Sequence, residues 1–123
     1  MKAVLQRVTH ASVEVDEQIV GRIQCGLLVL LGVAKGDDES DVRYLVDKIR
    51  GLRIFADDQG KMNRSLTDVG GAVLLVSQFT LVGRTSNGRR PSFDEAAPPD
   101  LAKRLYERVA TDLRQDGHWL KQV

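Results

Sequence analysis

Cysteine is almost missing from this chain. Cys25 is the only one among 123 residues, which excludes an internal disulfide and any motif built on paired thiols. An apolar run follows it, so the expectation is a small core residue rather than a nucleophile. Histidine is scarce as well, with His10 and His118 at opposite ends and no HExxH, GxSxG or GxxxxGK[ST] run. No group of His, Cys and carboxylates has ligand spacing, so no metal and no cofactor are expected. Long apolar stretches are lacking too. Nothing approaches the roughly 18 residues of a membrane span, and the opening MKAVLQRVTH has no apolar secretion core. The expected location is the cytoplasm, with no membrane partner. Neither sign of charge dominates: 18 Lys and Arg stand against 17 Asp and Glu, for a net +1. A surface that coats nucleic acid broadly is thereby excluded, and no DNA partner is expected, but a local grip on the end of an RNA is not excluded.

What is present is ordinary for a folded domain: 42% hydrophobic and 28% charged residues. A chain of this length buries about two thirds of its unfolded surface, enough for a core without staples. Residues 1–123 are read as one domain without repeats, linkers or low-complexity segments. An apolar segment from Ala3 is followed by Ala11, Val13 and Val15 alternating with Ser12 and Glu14, the period of a half-buried strand. Asp16 to Gln18 turns the chain, and Ile19 to Ile23 returns as the second arm of a hairpin. Gly26 to Val33 is a third strand, apolar on both faces. Asp37 to Ser40 offers caps for a helix whose Val42, Leu45, Val46 and Ile49 share one face. Leu52 to Phe55 reads as a short strand, and the segment before Gly70 as a short strand or loop. Pro98 and Pro99 open a second helix, with Leu101, Leu105, Val109 and Leu113 along one side, and Asp116-Gly117 stops it. His118 to Val123 is read as a last strand. The fold class is α/β (α+β): a twisted, mixed or mostly antiparallel sheet with two helices packed on one side.

The most informative stretch is GGAVLLVSQFTLVGRTSNGRRPSF, Gly70 to Phe93. Ala72 to Val76 is a continuous apolar run, hence a strand buried on both faces. Ser77, Gln78 and Thr80 follow without a turn. Such groups at the end of a buried strand cost about 1–3 kcal/mol each if left unpaired, so a bound ligand is a natural partner. Arg84, Arg89 and Arg90 then surround the Asn87-Gly88 turn signal. Apolar strand, polar end and basic loop describe a pocket.

The run SQFTL, with GKMN before it, RPSF after it and MKAVLQRVTHASVEV at the start, resembles the D-aminoacyl-tRNA deacylases, also called D-tyrosyl-tRNA deacylases. The resemblance extends from Met1 to about Val109. It implies a deacylase-like fold, a homodimer with active sites near the subunit interface, and the acceptor end of aminoacyl-tRNA as partner. The implied reaction is hydrolysis of the ester of D-aminoacyl-tRNA, with glycyl-tRNA mischarged on alanine tRNA as a further substrate. A non-catalytic homologue that binds a tRNA 3′ end or a nucleotide is the alternative. The resemblance places catalysis on Ser77, Gln78, Phe79 and Thr80, and substrate binding on Arg7, Met62, Phe79, Arg90, Pro91, Ser92 and Phe93.

Several of these residues have two readings. Arg7 is either an edge-strand arginine in a salt bridge or a residue that holds the pocket. Met62 is a gap-filler or a ligand contact, Phe79 a core ring or a stacking platform for the terminal adenine. The loop arginines are either solvated or aimed at phosphates. Thr80 has no His, Lys or carboxylate within the motif to activate it, which argues against covalent catalysis. Gln78, Thr80 and the N–H groups of Phe79 and Thr80 are instead expected to position the ester carbonyl and its developing oxyanion. Members of the resembling family carry a C-terminal Asn-x-Gly-Pro-Val-Thr run, whose Gly-Pro element enters the partner's pocket and excludes L-aminoacyl groups. These 123 residues contain no Gly-Pro dipeptide. Weak discrimination between D- and L-forms is the corresponding expectation for the chain as written.

Overall fold

The computed structural model describes residues 1–123. Its central layer is a four-stranded mixed sheet in the order β1-β4-β7-β8. The antiparallel pair is β1 (Lys2–Val8) with β4 (Gly26–Gly32), while β7 (Ala72–Ser77) runs parallel to both β4 and β8 (Leu120–Gln122). Parallel neighbours require crossovers. The β4-to-β7 crossover contains helix α1 (Glu39–Gly51), the ribbon β5 (Phe55–Ala56) with β6 (Met62–Arg64), and helix α2 (Leu66–Val69). Helix α3 (Pro99–Gln115) links β7 to β8. The α+β class with helices against a mixed sheet is as read from the sequence, and α2 adds a third, short helix where a strand or loop was expected.

Local chemistry explains the helix starts. Asp38 caps α1, accepting from the Ser40 N–H at 2.9 Å, while Asp41 reaches back to the Asp38 N–H at 2.9 Å. Ser65 and Asp68 form the same reciprocal box at α2. Pro99 occupies the first turn of α3, where its missing N–H costs nothing. The apolar stripes of α1 and α3 close one core with the facing side of the sheet, including Leu27, Val29, Leu31, Val73, Leu75 and Leu120.

The other face of the sheet is covered by the hairpin β2 (Ala11–Val15) and β3 (Gln18–Ile23). Leu74, the middle of the β7 residues that point away from the helices, is fully buried. A Cβ on Gly21 would lie 2.8 Å from the Val123 side chain and 3.0 Å from that of Leu74, so the hairpin packs this closely because position 21 has no side chain. The cover is partial, and Val4 of β1 remains 48% exposed on this face.

One expectation is overturned. Cys25 is exposed, not a core residue. It sits in the bend between β3 and β4, where the chain leaves the hairpin for the sheet; the apolar run that follows it enters the core, but the bend itself faces solvent.

Candidate functional site

The site lies at the carboxyl end of β7. Parallel pairing places Ser77 beside Leu31 of β4, and the Gln78 N–H donates to the Leu31 carbonyl at 2.8 Å. The chain then tightens into a 3₁₀ turn, Phe79–Val82, with Gln78 as its cap. The first N–H groups of such a turn have no partner within it, so those of Phe79 and Thr80 are directed outward from its start. Val82 is buried and anchors the turn, whereas Phe79 and Thr80 are exposed and Gln78 is half-buried.

Two of the polar side chains meet. The Gln78 amide donates to the Thr80 hydroxyl at 2.6 Å. Because the hydroxyl oxygen accepts this bond, its own proton is directed elsewhere and is available to a ligand. The Thr80 hydroxyl has no His, Lys or carboxylate partner.

A cavity of about 540 Å³ opens beside the turn, lined by Ser77, Phe79, Ala96, Ala97, Pro99, Ala102, Lys103, Tyr106 and Glu107. Its far wall is the first turns of α3. The loop from Gly83 to Ala97 is tied to the sheet by the Ala97 N–H to the Val33 carbonyl at 3.0 Å and the Lys35 N–H to the Glu95 carbonyl at 2.8 Å. Within the loop, Arg84 and Ser92 exchange a pair of backbone bonds at 2.7 Å. Phe93 folds back so that its ring meets Phe79 edge to face, 5.4 Å between centroids and 67° between planes. This fold-back depends on Gly83, since a Cβ there would lie 2.7 Å from the Phe93 ring. Phe79 is 58% exposed, so it is not a core ring. Arg90 and Pro91 are exposed on the same loop, and Arg84, Arg89 and Arg90 form no ion pair. A smaller depression of about 210 Å³ lies under this loop, lined by Arg84, Ser86, Asn87, Ser92, Asp94 and Glu95.

Ser77, Gln78, Phe79, Thr80, Ser92 and Phe93 are thus brought into one neighbourhood, with Arg90 and Pro91 on its rim. Arg7 and Met62 are not. The register aligns Arg7 with Leu27 and Leu27 with Val73, at the opposite end of β7 from Ser77. The Arg7 guanidinium donates to the Ile54 carbonyl at 2.8 Å, just before the β5–β6 ribbon that carries the 65% exposed Met62. Tyr106, absent from the sequence-based set, stands on the cavity wall. Its hydroxyl lies within hydrogen-bond reach of the Leu75 carbonyl, one strand position from the site side of β7. Burial pushes this phenol above its ordinary value of 10.0, so it remains a protonated donor at neutral pH. The only sequence signal for Tyr106 is a polar tip within an otherwise aliphatic helix face.

This is an α+β domain with a largely apolar crevice at the carboxyl end of a parallel strand. Residues 4–122 match the D-Tyr-tRNA(Tyr) deacylase family, and the chain belongs to it. A D-aminoacyl-tRNA deacylase of Geobacter sulfurreducens is 60% identical over 117 residues, covering 95% of this chain and 77% of the relative. A solved structure described as a c-Myc DNA unwinding element binding protein superposes with a TM-score of 0.92 at 37% identity, over 99% of this chain and 83% of that one. A second, described as a probable eukaryotic D-amino acid tRNA deacylase, shares the fold with a TM-score of 0.74 at 22% identity, over 92% of this chain and 66% of that one.

Proposed function

We propose that this protein hydrolyses the ester bond of D-aminoacyl-tRNA, releasing the free D-amino acid and tRNA. Membership of the deacylase family and the 60% identical relative support this reading. The observation that carries the mechanism is the Gln78–Thr80 hydrogen bond, made on the same short turn whose Phe79, with Ser77 before it, lines the 540 Å³ cavity. An aminoacyl ester is already activated, so holding it in line with water supplies much of the acceleration. In this mechanism the Thr80 hydroxyl proton and the outward N–H groups of Phe79 and Thr80 meet the carbonyl oxygen as it gains charge. Water adds to the carbonyl carbon, the bond to the ribose oxygen breaks, and that oxygen leaves with a proton. The ribose hydroxyl next to the ester orients the water.

The terminal adenine stacks on the exposed Phe79, and acceptor phosphates meet Arg84, Arg89 and Arg90. Pro91, Ser92 and Phe93 set the position of this basic loop. Glycyl-tRNA belongs to the same proposal, because a site that holds an ester by backbone and amide groups makes no demand on a side chain. Arg7 and Met62 act away from the Gln78–Thr80 pair or from a second copy of the chain.

A homodimer is part of the reading. β1 and β8 are edge strands, and Val4, Leu28 and Leu30 leave apolar surface on the outer face of the sheet. A dimer in light scattering at micromolar concentration supports this, and a monomer there contradicts it. No helix is long and apolar enough to cross a membrane, and the cytoplasm, where charged tRNA is used, is the proposed location. The functional test is release of free amino acid from D-tyrosyl-tRNA. Binding of an aminoacyl-adenosine without release would favour the non-catalytic alternative.

A further inference from the structure

At the end of the sheet opposite the Gln78–Thr80 pair, three adjoining depressions of about 320, 330 and 290 Å³ share one residue, Arg22 of β3. Trp119 lines two of them, and Lys121 of β8 borders one of those two, the depression of about 290 Å³. The indole is 59% exposed, while its own backbone is fixed: the Trp119 carbonyl accepts from the Val73 N–H at 2.9 Å. Ring and cations are therefore carried on strands or directly at a strand start. Neither Arg22 nor Lys121 enters an ion pair. No carboxylate lines any of the three depressions. With Val73 at one end of β7 and Ser77 at the other, this surface is separated from the deacylase pocket by most of a strand about 20 Å long.

We infer that the Arg22–Trp119–Lys121 surface binds a single strand of RNA, one base stacking on the indole while flanking phosphates meet the two cations. An exposed aromatic ring between unpaired cations is the arrangement that binds single strands without reading their sequence. A second copy of the chain is a poorer occupant, because a two-fold contact through this patch would set Arg22 and Lys121 against the same cations of the partner with no carboxylate to neutralise them. A membrane is also poorer, since the ring borders concave depressions and does not project from a convex apolar face.

The test uses the protein's single tryptophan. Its fluorescence reports on this patch alone. Titration of the 123-residue chain with a short oligouridylate, carrying no aminoacyl group, is expected to give a saturable quench that weakens with salt. The double variant Arg22→Glu, Lys121→Glu should keep the fold, both side chains being exposed, and weaken the binding on the order of ten-fold or more. Gln78→Ala should leave the quench unchanged, so failure here and failure of the deacylase reading are separately visible. A quench that survives the double charge reversal, no quench at millimolar RNA, an equal response to phosphatidylserine vesicles, or a concentration-dependent emission shift without RNA would each overturn the inference.

Discussion

The Tyr106 hydroxyl lies 3.1 Å from the Leu75 carbonyl and 3.0 Å from the Val123 carbonyl, so one phenol on α3 ties the end of the helix face to both β7 and the chain beyond β8. It can donate to only one of them at a time. The Leu75 carbonyl also accepts from the Val123 N–H at 3.0 Å. Tyr106→Phe should therefore cost only about 1 kcal/mol, since Leu75 is not left unpaired. A fall of roughly 4 °C in melting temperature corresponds to this. Tyr106→Ala opens the cavity wall as well and should cost about 3–5 kcal/mol. Equal losses for the two variants in thermal unfolding would show that the hydrogen bond, not the ring, dominates.

Thr80 is exposed, Gln78 is half-buried, and neither belongs to the apolar core, so their replacement tests chemistry without removing a core side chain. Gln78→Ala should lower deacylation on the order of 10²-fold, as loss of a positioned donor does. Thr80→Ala should also slow it, and Thr80→Ser should restore most of the rate. A loss near the roughly million-fold scale of a disabled nucleophile on Thr80→Ala would contradict positioning catalysis. Single-turnover hydrolysis of D-tyrosyl-tRNA measures this.

Acid should act through three hydrogen-bonded aspartates, two in helix caps and one in a turn. The Ser40 hydroxyl and N–H hold Asp38 below the ordinary 3.8, the Lys61 and Gln59 N–H groups do so for Asp57, and the Ser65 N–H and hydroxyl do so for Asp68. A carboxylate whose folded value is depressed stabilises fully above its unfolded value and loses that contribution as pH falls through the folded one. Stability should thus be insensitive to these groups near neutrality and decline below about pH 4. Asp38→Asn should flatten the acid limb in melting curves recorded from pH 7 to 2.5. An unchanged limb would mean that other carboxylates govern it.

Chiral selection needs a rigid clash beside the α-carbon, and a Gly-Pro element can supply one, because proline fixes its backbone and glycine allows close approach. The 123 residues hold no Gly-Pro dipeptide. A polypeptide of these residues should accordingly hydrolyse D- and L-tyrosyl-tRNA with little discrimination, or bind them with slow turnover. Rapid D-turnover with strong rejection of the L-form, compared side by side, would show that another wall of the cavity does the filtering.

The sequence by itself determined the local elements and the identity of the site run. Alternation at Ala11, Val13 and Val15, the aliphatic stripes of α1 and α3, the caps Asp38 and Pro99, and a polar SQFT following AVLLV each act over a few residues, where side-chain period and hydrogen-bonding capacity are properties of the chain. Tertiary structure decided what those elements meet. Periodicity marks which face of a strand is buried but not which neighbour it pairs with. The parallel β4-β7-β8 order came from the two helical crossovers, and with it the separation of Arg7 from Ser77. Cys25 was exposed by its position in a bend, which its apolar neighbours do not report. Tyr106 reached the cavity because α3 docks across the end of β7, a contact between residues 31 apart.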